Sequence, residues 1–449
     1  MTLSKPDGGD DRARLLAQGV AKVKRHVLPL FVIMFIVNYI DRVNVGFVRG
    51  QLESDLGIGV AAYGLGAGLF FIGYALFEVP SNLMLQRAGA RVWLTRIMLT
   101  WGLVAMAMAF VRNEAGFYVL RFLLGAAEAG FYPGILYYFT RWLPHHERGK
   151  AMAVFLSGSA IASIIAGPIT GVLLSLQGFG LVGWQWMFLI EGGASLVLGI
   201  FVYFRLQSEI CQAKWLNQRE RQALQQAIDD EQLARVALQG GKPSWRSLLS
   251  DRQIVMFCFI YFSISLTIYG VTFWLPAMIR QMGVHGEMQV GFYNALPWCI
   301  SIACMYGFAA LAQRYGHPQR WCALSLCIAA AGMFASTLGG AVMAFVALCF
   351  AAVGFKAASA LFWPLPQGYL DARIAAGVLA LINSLGNLGG FVAPTMFGVL
   401  EARSGSVHGG LVGLAAASIG AAIVVLYLGR RRPHSPSCVG EAGMRQARY

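Results

Sequence analysis

The chain has 449 residues, of which 57% are hydrophobic and 12% are charged, and its formal net charge is +14 at pH 7. The charged fraction is roughly half that of an average soluble globular domain, so an ordinary cytosolic protein is excluded. The lysines and arginines form short clusters between apolar runs and are not gathered on one domain. This pattern argues against nucleic-acid binding and favours a membrane protein.

Residues 1–25 are polar and are predicted to form an N-terminal tail without a removable signal peptide. The apolar runs that follow are long enough to span a bilayer as helices and lack the alternation of barrel strands. The first six helices are expected at about 27–48, 60–84, 93–111, 116–139, 149–175 and 184–205. Six more are expected at about 253–278, 289–312, 320–338, 341–364, 374–399 and 409–429.

The predicted fold is therefore an all-α membrane protein with twelve transmembrane helices in two six-helix bundles, residues 26–205 and 253–429. The linker at 206–252 has an amphipathic pattern that favours a surface helix, with a binding role as the alternative. Most of the 35 Lys and Arg residues lie on the side that carries both termini, including the tail at 430–449. The other side has only Arg49, Arg112, Arg280 and Arg403, so both termini are predicted to be cytoplasmic.

The second half of the chain repeats the first at a nearly constant offset of 226 to 229 positions. Two matching halves of six helices are typical of secondary transporters, whose site lies at the midplane between them. The matched residues are Gln86, Arg87, Gly89, Arg91, Trp93 and Pro168, which recur as Gln313, Arg314, Gly316, Arg320, Trp321 and Pro394.

Charged residues inside the predicted spans are the candidate functional residues, because each costs about 2.5 to 3.5 kcal/mol at a helix centre. Arg121 and Glu128 are two helical turns apart and share one face of helix 4, whereas Asp41 and Arg42 diverge by about 100°. Arg121 and Asp41 have an alternative interpretation as partners in helix packing. Glu78 and Glu191 are interpreted as interfacial or conformational pairs and not as substrate ligands.

Lys356 lies on predicted helix 10, after about fifteen apolar or small residues. We expect it to face the central cavity at about the depth of Glu128, although snorkelling to the interface is the alternative. The net charge is +1, or +2 after one carboxyl is protonated, for the set of Asp41, Arg42, Arg121, Glu128 and Lys356. Such a cavity attracts anions.

The sequence contains no pattern that indicates an enzyme, a cofactor or a metal site. Gly64, Gly66 and Gly68 form a G-x-G-x-G inside a predicted helix and are interpreted as packing glycines. The eight cysteines show no C-x-x-C spacing. No serine-hydrolase, zinc-protease or P-loop motif is present.

Four long motifs then identify a family resemblance: "NYIDRVNVGF" (Asn38 to Phe47), "GYALFEVPSNLML" (Gly73 to Leu85), "RFLLGAAEAGFYPGILYYFTRWLP" (Arg121 to Pro144) and "LINSLGNLGGFVAP" (Leu381 to Pro394). The chain resembles the anion:cation symporter family of the major facilitator superfamily, in its phthalate and tartrate permease branch. The resemblance implies a monomeric symporter of the bacterial inner membrane that takes up an organic carboxylate with protons by alternating access.

The resemblance also implies roles for individual residues. Asp41 and Glu128 match the family's protonatable acids, Arg42 matches its carboxylate-binding arginine, and Arg121 matches the arginine that pairs with or positions the coupling acid. Polar cavity residues that bind substrate are matched by Tyr39, Tyr74 and Asn387. Lys356 matches no general family motif and so is expected to bear on substrate choice.

The sequence thus predicts proton-coupled uptake of an organic anion, with an aromatic acid such as phthalate favoured and tartrate or a sugar acid as the alternative. An exporter or uncoupled facilitator with the same fold is the competing transport hypothesis. A transporter-like sensor is a further alternative, but the predicted C-terminal tail is short for a signalling domain.

Overall fold

The computed structural model describes residues 8–238, 251–369 and 372–430, and nearly all of these are helical. The first half contains α1 (Gly8–Val43), α2 (Arg49–Leu56), α3 (Val60–Ala88), α4 (Ala90–Met108), α5 (Glu114–Glu128), α6 (Phe131–Trp142), α7 (His145–Leu174) and α8 (Gly183–Arg205). After α9 (Gln218–Leu238), the second half contains α10 (Arg252–Gln281), α11 (Glu287–Tyr315), α12 (Pro318–Ala335), α13 (Ala341–Phe362), α14 (Pro364–Tyr369), α15 (Ala372–Asn387), α16 (Gly389–Ser404) and α17 (His408–Arg430).

The described helices account for all twelve predicted spans. Eight helical segments are long and apolar enough to cross a membrane, with α5 and α6 counted as one segment and α13 and most of α14 as another. The other four spans correspond to α1, α4, α12 and the pair α15 and α16. A helix satisfies its backbone hydrogen bonds internally, which is why long apolar runs in a membrane adopt this structure.

Two predicted spans are interrupted near their middle. The span predicted at 116–139 breaks after Glu128, where Gly130 adopts a left-handed conformation with φ of +88°. The span predicted at 374–399 breaks at Leu388. Such breaks expose backbone polar groups inside the bundle, where they can face a site and not lipid.

The two halves meet along two long helix pairs, α3 with α16 and α7 with α11. Glycines allow the backbones to touch in both pairs, because a Cβ atom at Gly64 would overlap the Pro394 carbonyl oxygen and one at Gly291 would overlap that of Gly167. The two contacts are related by the internal repeat, since Gly64 and Gly291 are 227 positions apart and so are Gly167 and Pro394.

The α9 helix of the linker packs against the first half. Lys22 of α1 donates to both Glu220 oxygens at 2.8 Å, and Arg148 pairs with Glu231 at 2.7 Å. Burial raises the pKa of Glu220, but the hydrogen bonds from Lys22 and from the Asn217 backbone outweigh it and leave the pKa below its ordinary value. The first helix begins at Gly8, within the predicted tail at 1–25, and the tail from 431 and linker residues 239–250 lie outside the described residues.

Candidate functional site

Arg42 and Glu128 form a buried ion pair between α1 and the broken end of α5. The Arg42 Nη2 atom lies 2.9 Å from Glu128 Oε2, and Asn38 donates its side-chain amide to the same oxygen at 2.8 Å. The Glu128 side chain is fully buried, and its Oε1 atom has no hydrogen-bond partner within the described chain. The structure thus places two predicted site residues in direct contact.

Aromatic rings of α3 surround this pair. The Arg42 guanidinium lies 5.2 Å from the Phe70 ring centre and 5.3 Å from that of Tyr74. The Arg121 guanidinium lies 5.1 Å from the same Phe70 ring, so Phe70 contacts both cations. Such contacts stabilise a cation in a place that excludes water. Tyr74, another predicted site residue, therefore lies beside Arg42.

Arg121 itself has no carboxylate partner within 4 Å in the described part of the chain. It is fully buried and donates to the Ala67 carbonyl oxygen at 3.4 Å, while its Nε and Nη1 atoms have no partner there. Glu128 lies two turns away on the same face of α5, but it is bonded to Arg42 instead. The resemblance implied that Arg121 pairs with or positions the acid, and the structure shows no direct pair.

Asp41 faces away from Arg42, as the 100° divergence predicts. Its Oδ2 atom accepts hydrogen bonds from the Trp101 indole at 2.8 Å and from the Ser195 hydroxyl at 2.7 Å. One turn before Ser195 on α8, Glu191 accepts from the Asn44 amide at 2.6 Å. Two buried carboxyl groups thus lie on a different side of α1 from the ion pair.

Trp298 of α11 lines a small cavity between the halves together with Tyr39, and it also lies close to Lys356. Tyr39 lines a small cavity with Asn294 and Trp298 of α11 and Thr272 of α10. The Lys356 ammonium lies 5.0 Å from the Trp298 ring centre, and no carboxylate lies within 4 Å of it among the residues described. The side chain is only partly exposed. A half-buried cation without a counter-ion is suited to binding an anion.

Asn387 ends α15, immediately before the break at Leu388. Its side chain makes no hydrogen bond to another described residue, while the neighbouring Gly386 and Gly390 pack against the rings of Tyr261 and Phe71. The structure therefore places Asn387 at the interrupted helix and not in the Arg42 cluster. It does not bring all the predicted site residues into one continuous pocket.

Some residues of this region were not selected from the sequence. Glu191 is a charged residue with apolar neighbours, and its position after Trp184 and Trp186 suggested a membrane interface. In the structure, Glu191 is only 6% exposed. Phe70 and Trp298 carry no charge and no motif that distinguishes them from core aromatic residues. Within the described residues, no group of three His, Cys, Asp or Glu side chains could hold a metal ion.

Comparison with known proteins identifies the family. Residues 31–394 match the model of the Major Facilitator Superfamily. The chain is a member of this superfamily. It is therefore a multi-pass membrane transporter and not an enzyme, as the sequence predicted.

Relatives and solved structures support this assignment over nearly the whole chain. A protein of Agrobacterium vitis that is provisionally named a tartrate transporter is 39% identical, over 92% of this chain and 95% of its own. The quinolone resistance transporter of Acinetobacter baumannii is 42% identical, over 86% and 89%. The inward-open xylose transporter XylE from E. coli has the same fold, with a TM-score of 0.72 at 13% identity, covering 90% of this chain and 96% of that one.

Proposed function

We propose that this protein imports an organic carboxylate together with protons by alternating access. The observation that carries the proposal is the buried Arg42–Glu128 pair at 2.9 Å. A guanidinium can hold a carboxylate through two parallel hydrogen bonds, which makes Arg42 a suitable ligand for a carboxylate substrate. Glu128, the partner of Arg42, can take up a proton, so the Arg42–Glu128 contact can serve both substrate binding and proton coupling.

The coupling follows from competition for one cation. While Glu128 is ionised, it occupies Arg42, and an incoming substrate carboxylate would meet a second negative charge. Protonation of Glu128 removes that charge and frees the guanidinium for the substrate. When the substrate binds Arg42, the buried Glu128 loses its partner. Its protonated form is then favoured, because an unpaired buried charge is costly. Substrate and proton therefore bind together.

An aromatic dicarboxylate such as phthalate is the favoured substrate. Arg42 belongs to the first half of the chain and Lys356 to the second. The two cations lie at different places in this conformation, and closure of the halves around a dianion would bring one cation to each carboxylate. Phe70 and Tyr74 beside Arg42 and Trp298 beside Lys356 offer rings against which an aromatic substrate can pack.

Two alternatives are favoured by particular relatives. Tartrate is also a small dicarboxylate, and two relatives from Agrobacterium vitis, each 39% identical, carry the provisional name of tartrate transporter. Export is favoured by the relative named for quinolone resistance, which is 42% identical.

The proposed setting is the bacterial inner membrane, with the protein acting as a monomer in the lipid bilayer and both termini in the cytoplasm. The excess of Lys and Arg on the terminal side supports this orientation. In this arrangement the bundles at 26–205 and 253–429 are joined by the linker at 206–252, and the end of the molecule that carries α2 faces outward.

Uptake into proteoliposomes tests the function. Radiolabelled phthalate, benzoate, tartrate, hydroxybenzoate and a sugar acid are offered with and without an inward proton gradient. We expect accumulation of at least one carboxylate only when the gradient is present. Equilibration without accumulation would indicate a facilitator, and efflux against the substrate gradient would indicate an exporter. Substitution of Arg42 by Lys in parallel should weaken substrate binding, because the charge remains but the two-pronged geometry is lost.

A further inference from the structure

We propose that a groove between α3 and α16, at the end of the molecule that carries α2, binds a phospholipid whose headgroup carries a primary ammonium, such as phosphatidylethanolamine. One acyl chain of the lipid lies in the groove, and the headgroup ammonium contacts Glu114. This binding is independent of the substrate and of proton coupling.

The groove is an open cavity of about 510 Å³ beside the contact between the two halves. Its volume falls within the range of about 300 to 1,000 Å³ that is typical of ligand pockets. Val60, Ala62 and Leu65 of α3 form one wall, and Val399 and Ala402 of α16 form another. The groove is therefore lined by both halves, and the two alanines, which end at Cβ, leave space within it.

The groove borders the lipid-facing surface of the first half. Glu114 and Tyr118 of α5 line it next to α3 and α16. The residue after Tyr118 is Val119, which is exposed, and so is Leu123 one turn further along α5. Val399 of the α16 wall is exposed as well. Exposed apolar side chains on membrane-spanning helices contact acyl chains, so lipid is the neighbour that can enter the groove.

The two ends of the groove differ in polarity. Helices α3 and α5 begin at the α2 end and α16 ends there, so Glu114 and Ala402 lie at the outer end of the groove. Thr395 precedes Ala402 on α16 and lies about 10 Å deeper, at about 1.5 Å per residue. Its hydroxyl donates to the Phe391 carbonyl oxygen at 2.8 Å. Because this hydroxyl is already bonded within its own helix, the deeper part of the groove is suited to a hydrocarbon chain.

The charges at the outer end favour a zwitterionic headgroup. Glu114 is exposed and has no Lys, Arg or His nitrogen within 4 Å among the described residues. Arg403 follows Ala402, is exposed, and has no ion-pair partner in the same part of the chain. A carboxylate on α5 and a cation on α16 complement the ammonium and the phosphate of such a headgroup. A primary ammonium donates hydrogen bonds to a carboxylate, whereas a choline headgroup has no N–H to donate.

A lipid in this groove contacts both halves of the transporter. Helices α3 and α16 meet where the Pro394 carbonyl oxygen approaches Gly64. Separation of the halves at the α2 end would remove one wall of the groove. The lipid therefore binds best to the conformation that is closed at this end, and its binding shifts the population toward that conformation.

Native mass spectrometry of the full chain in detergent tests the headgroup. The protein is titrated with phosphatidylethanolamine or with phosphatidylcholine of the same acyl chains. We expect wild type to bind phosphatidylethanolamine about fivefold more tightly, which is the effect of an exposed ion pair. Glu114→Gln should remove this preference, whereas Glu53→Gln, which changes an exposed carboxylate of α2, should keep it. Equal affinities of wild type for the two lipids would overturn the headgroup assignment.

Ala402→Phe tests the groove, because the added ring fills it. We expect this variant to bind both lipids about tenfold more weakly, since the acyl chain loses its apolar contacts. Ala115→Phe adds the same ring at an exposed position of α5 that does not line the groove, and it should keep the wild-type affinity. Glycerophosphoethanolamine, which has the headgroup but no acyl chain, should not displace the lipid. If the two variants bind alike, or if the headgroup alone displaces the lipid, the groove is not the site.

A measurement on wild type covers the case in which Ala402→Phe does not fold. Phosphatidylethanolamine that carries a photoactivatable diazirine in one acyl chain is cross-linked to the protein, and the modified peptides are mapped by mass spectrometry. We expect the modifications to concentrate at residues 60–65 and 395–402 and to decrease when unlabelled phosphatidylethanolamine is added. Modifications spread evenly over the lipid-facing helices would contradict the proposal.

Discussion

Arg42 is the residue at which substrate binding and proton coupling are expected to interact. It holds Glu128 Oε2 at 2.9 Å, and a substrate carboxylate would have to replace that oxygen. In wild type, a rising pH should therefore weaken substrate binding, because ionised Glu128 competes for the guanidinium. Glu128→Gln removes the competitor, so we expect binding to become nearly independent of pH across the neutral range. Isothermal titration calorimetry over that range measures this, and a wild-type pH slope in Glu128→Gln would remove Glu128 from the coupling role.

Lys356 offers a residue-scale test of substrate choice. Its ammonium lies over the Trp298 ring, and no described carboxylate is close enough to pair with it. Lys356→Met keeps the length and the apolar stem of the side chain, so packing is retained. Removing one partner of a buried charge pair typically costs about 2 to 5 kcal/mol, and we expect the affinity for phthalate to fall much more than that for benzoate. Competition of both acids against labelled substrate measures the difference. Equal losses would mean that Lys356 does not bind the second carboxylate.

At the scale of helices, the break between α5 and α6 positions Glu128 at a free helix end. Gly130 has φ of +88°, and a Cβ atom there would overlap the side chain of Ser81, whose hydroxyl accepts the Trp93 indole hydrogen bond at 3.0 Å. Gly57 also has positive φ, +67°, but has open space around it. Gly57→Ala should thus cost only the backbone strain, about 1 to 2 kcal/mol. We expect Gly130→Ala to lower the thermal unfolding temperature more and to reduce transport. Equal shifts for the two variants would show that the contact with Ser81 contributes nothing.

Helix positions could be read from the sequence more completely than helix breaks or side-chain partners. Hydropathy predicts the spans because an apolar run in a bilayer has few alternatives to a helix. The breaks at Gly130 and Leu388 lie inside continuous apolar runs, so hydropathy gave no signal for them. The spacing of Arg121 and Glu128 predicted a shared face, but Glu128 bonds to Arg42 of α1, and that choice depends on where the tertiary fold places α1 relative to α5. The burial of Glu191, which is 6% exposed, also had no signal in the sequence, since burial depends on neighbouring helices and not on the local sequence.

At the scale of the whole molecule, the internal repeat organises the contact between the halves. The Gly64–Pro394 and Gly291–Gly167 contacts exchange under a shift of 227 positions, so α3 with α16 and α7 with α11 are equivalent pairs. Such backbone contacts permit one half to rock against the other with little change in side-chain packing. Among the described residues, the polar contacts between the halves do not follow this symmetry. Those of Arg49, Gln51 and Arg280 lie at the end that carries α2, whereas Ser384 donates to Glu78 nearer the other end of α3.

This asymmetry indicates that the α2 end is held closed in this conformation. Arg49 of α2 pairs with Glu401 of α16 at 2.6 Å, and Gln51 donates to Glu287 of α11 at 2.9 Å. Arg280 of α10 pairs with the same Glu287 at 2.6 Å and also donates to the Phe47 carbonyl oxygen at 3.0 Å. At the Arg49–Glu401 pair both side chains are about nine-tenths buried, so its loss would cost more than loss of an exposed pair.

Glu401→Gln should therefore favour the conformation that is open at the α2 end. The substitution weakens a contact made only in the closed conformation, and a loss of about 1.4 kcal/mol would change the ratio of the two conformations tenfold. Thr272→Cys, introduced after replacement of the eight native cysteines, places a thiol in the small cavity between the halves. We expect a membrane-impermeant maleimide added from the α2 side to label this thiol at least several times faster in the Glu401→Gln background. Glu53→Gln is the control, because Glu53 is an exposed carboxylate of the same α2 helix without an ion pair in the described chain. If both variants label at the same rate, the Arg49–Glu401 contact does not hold this end closed.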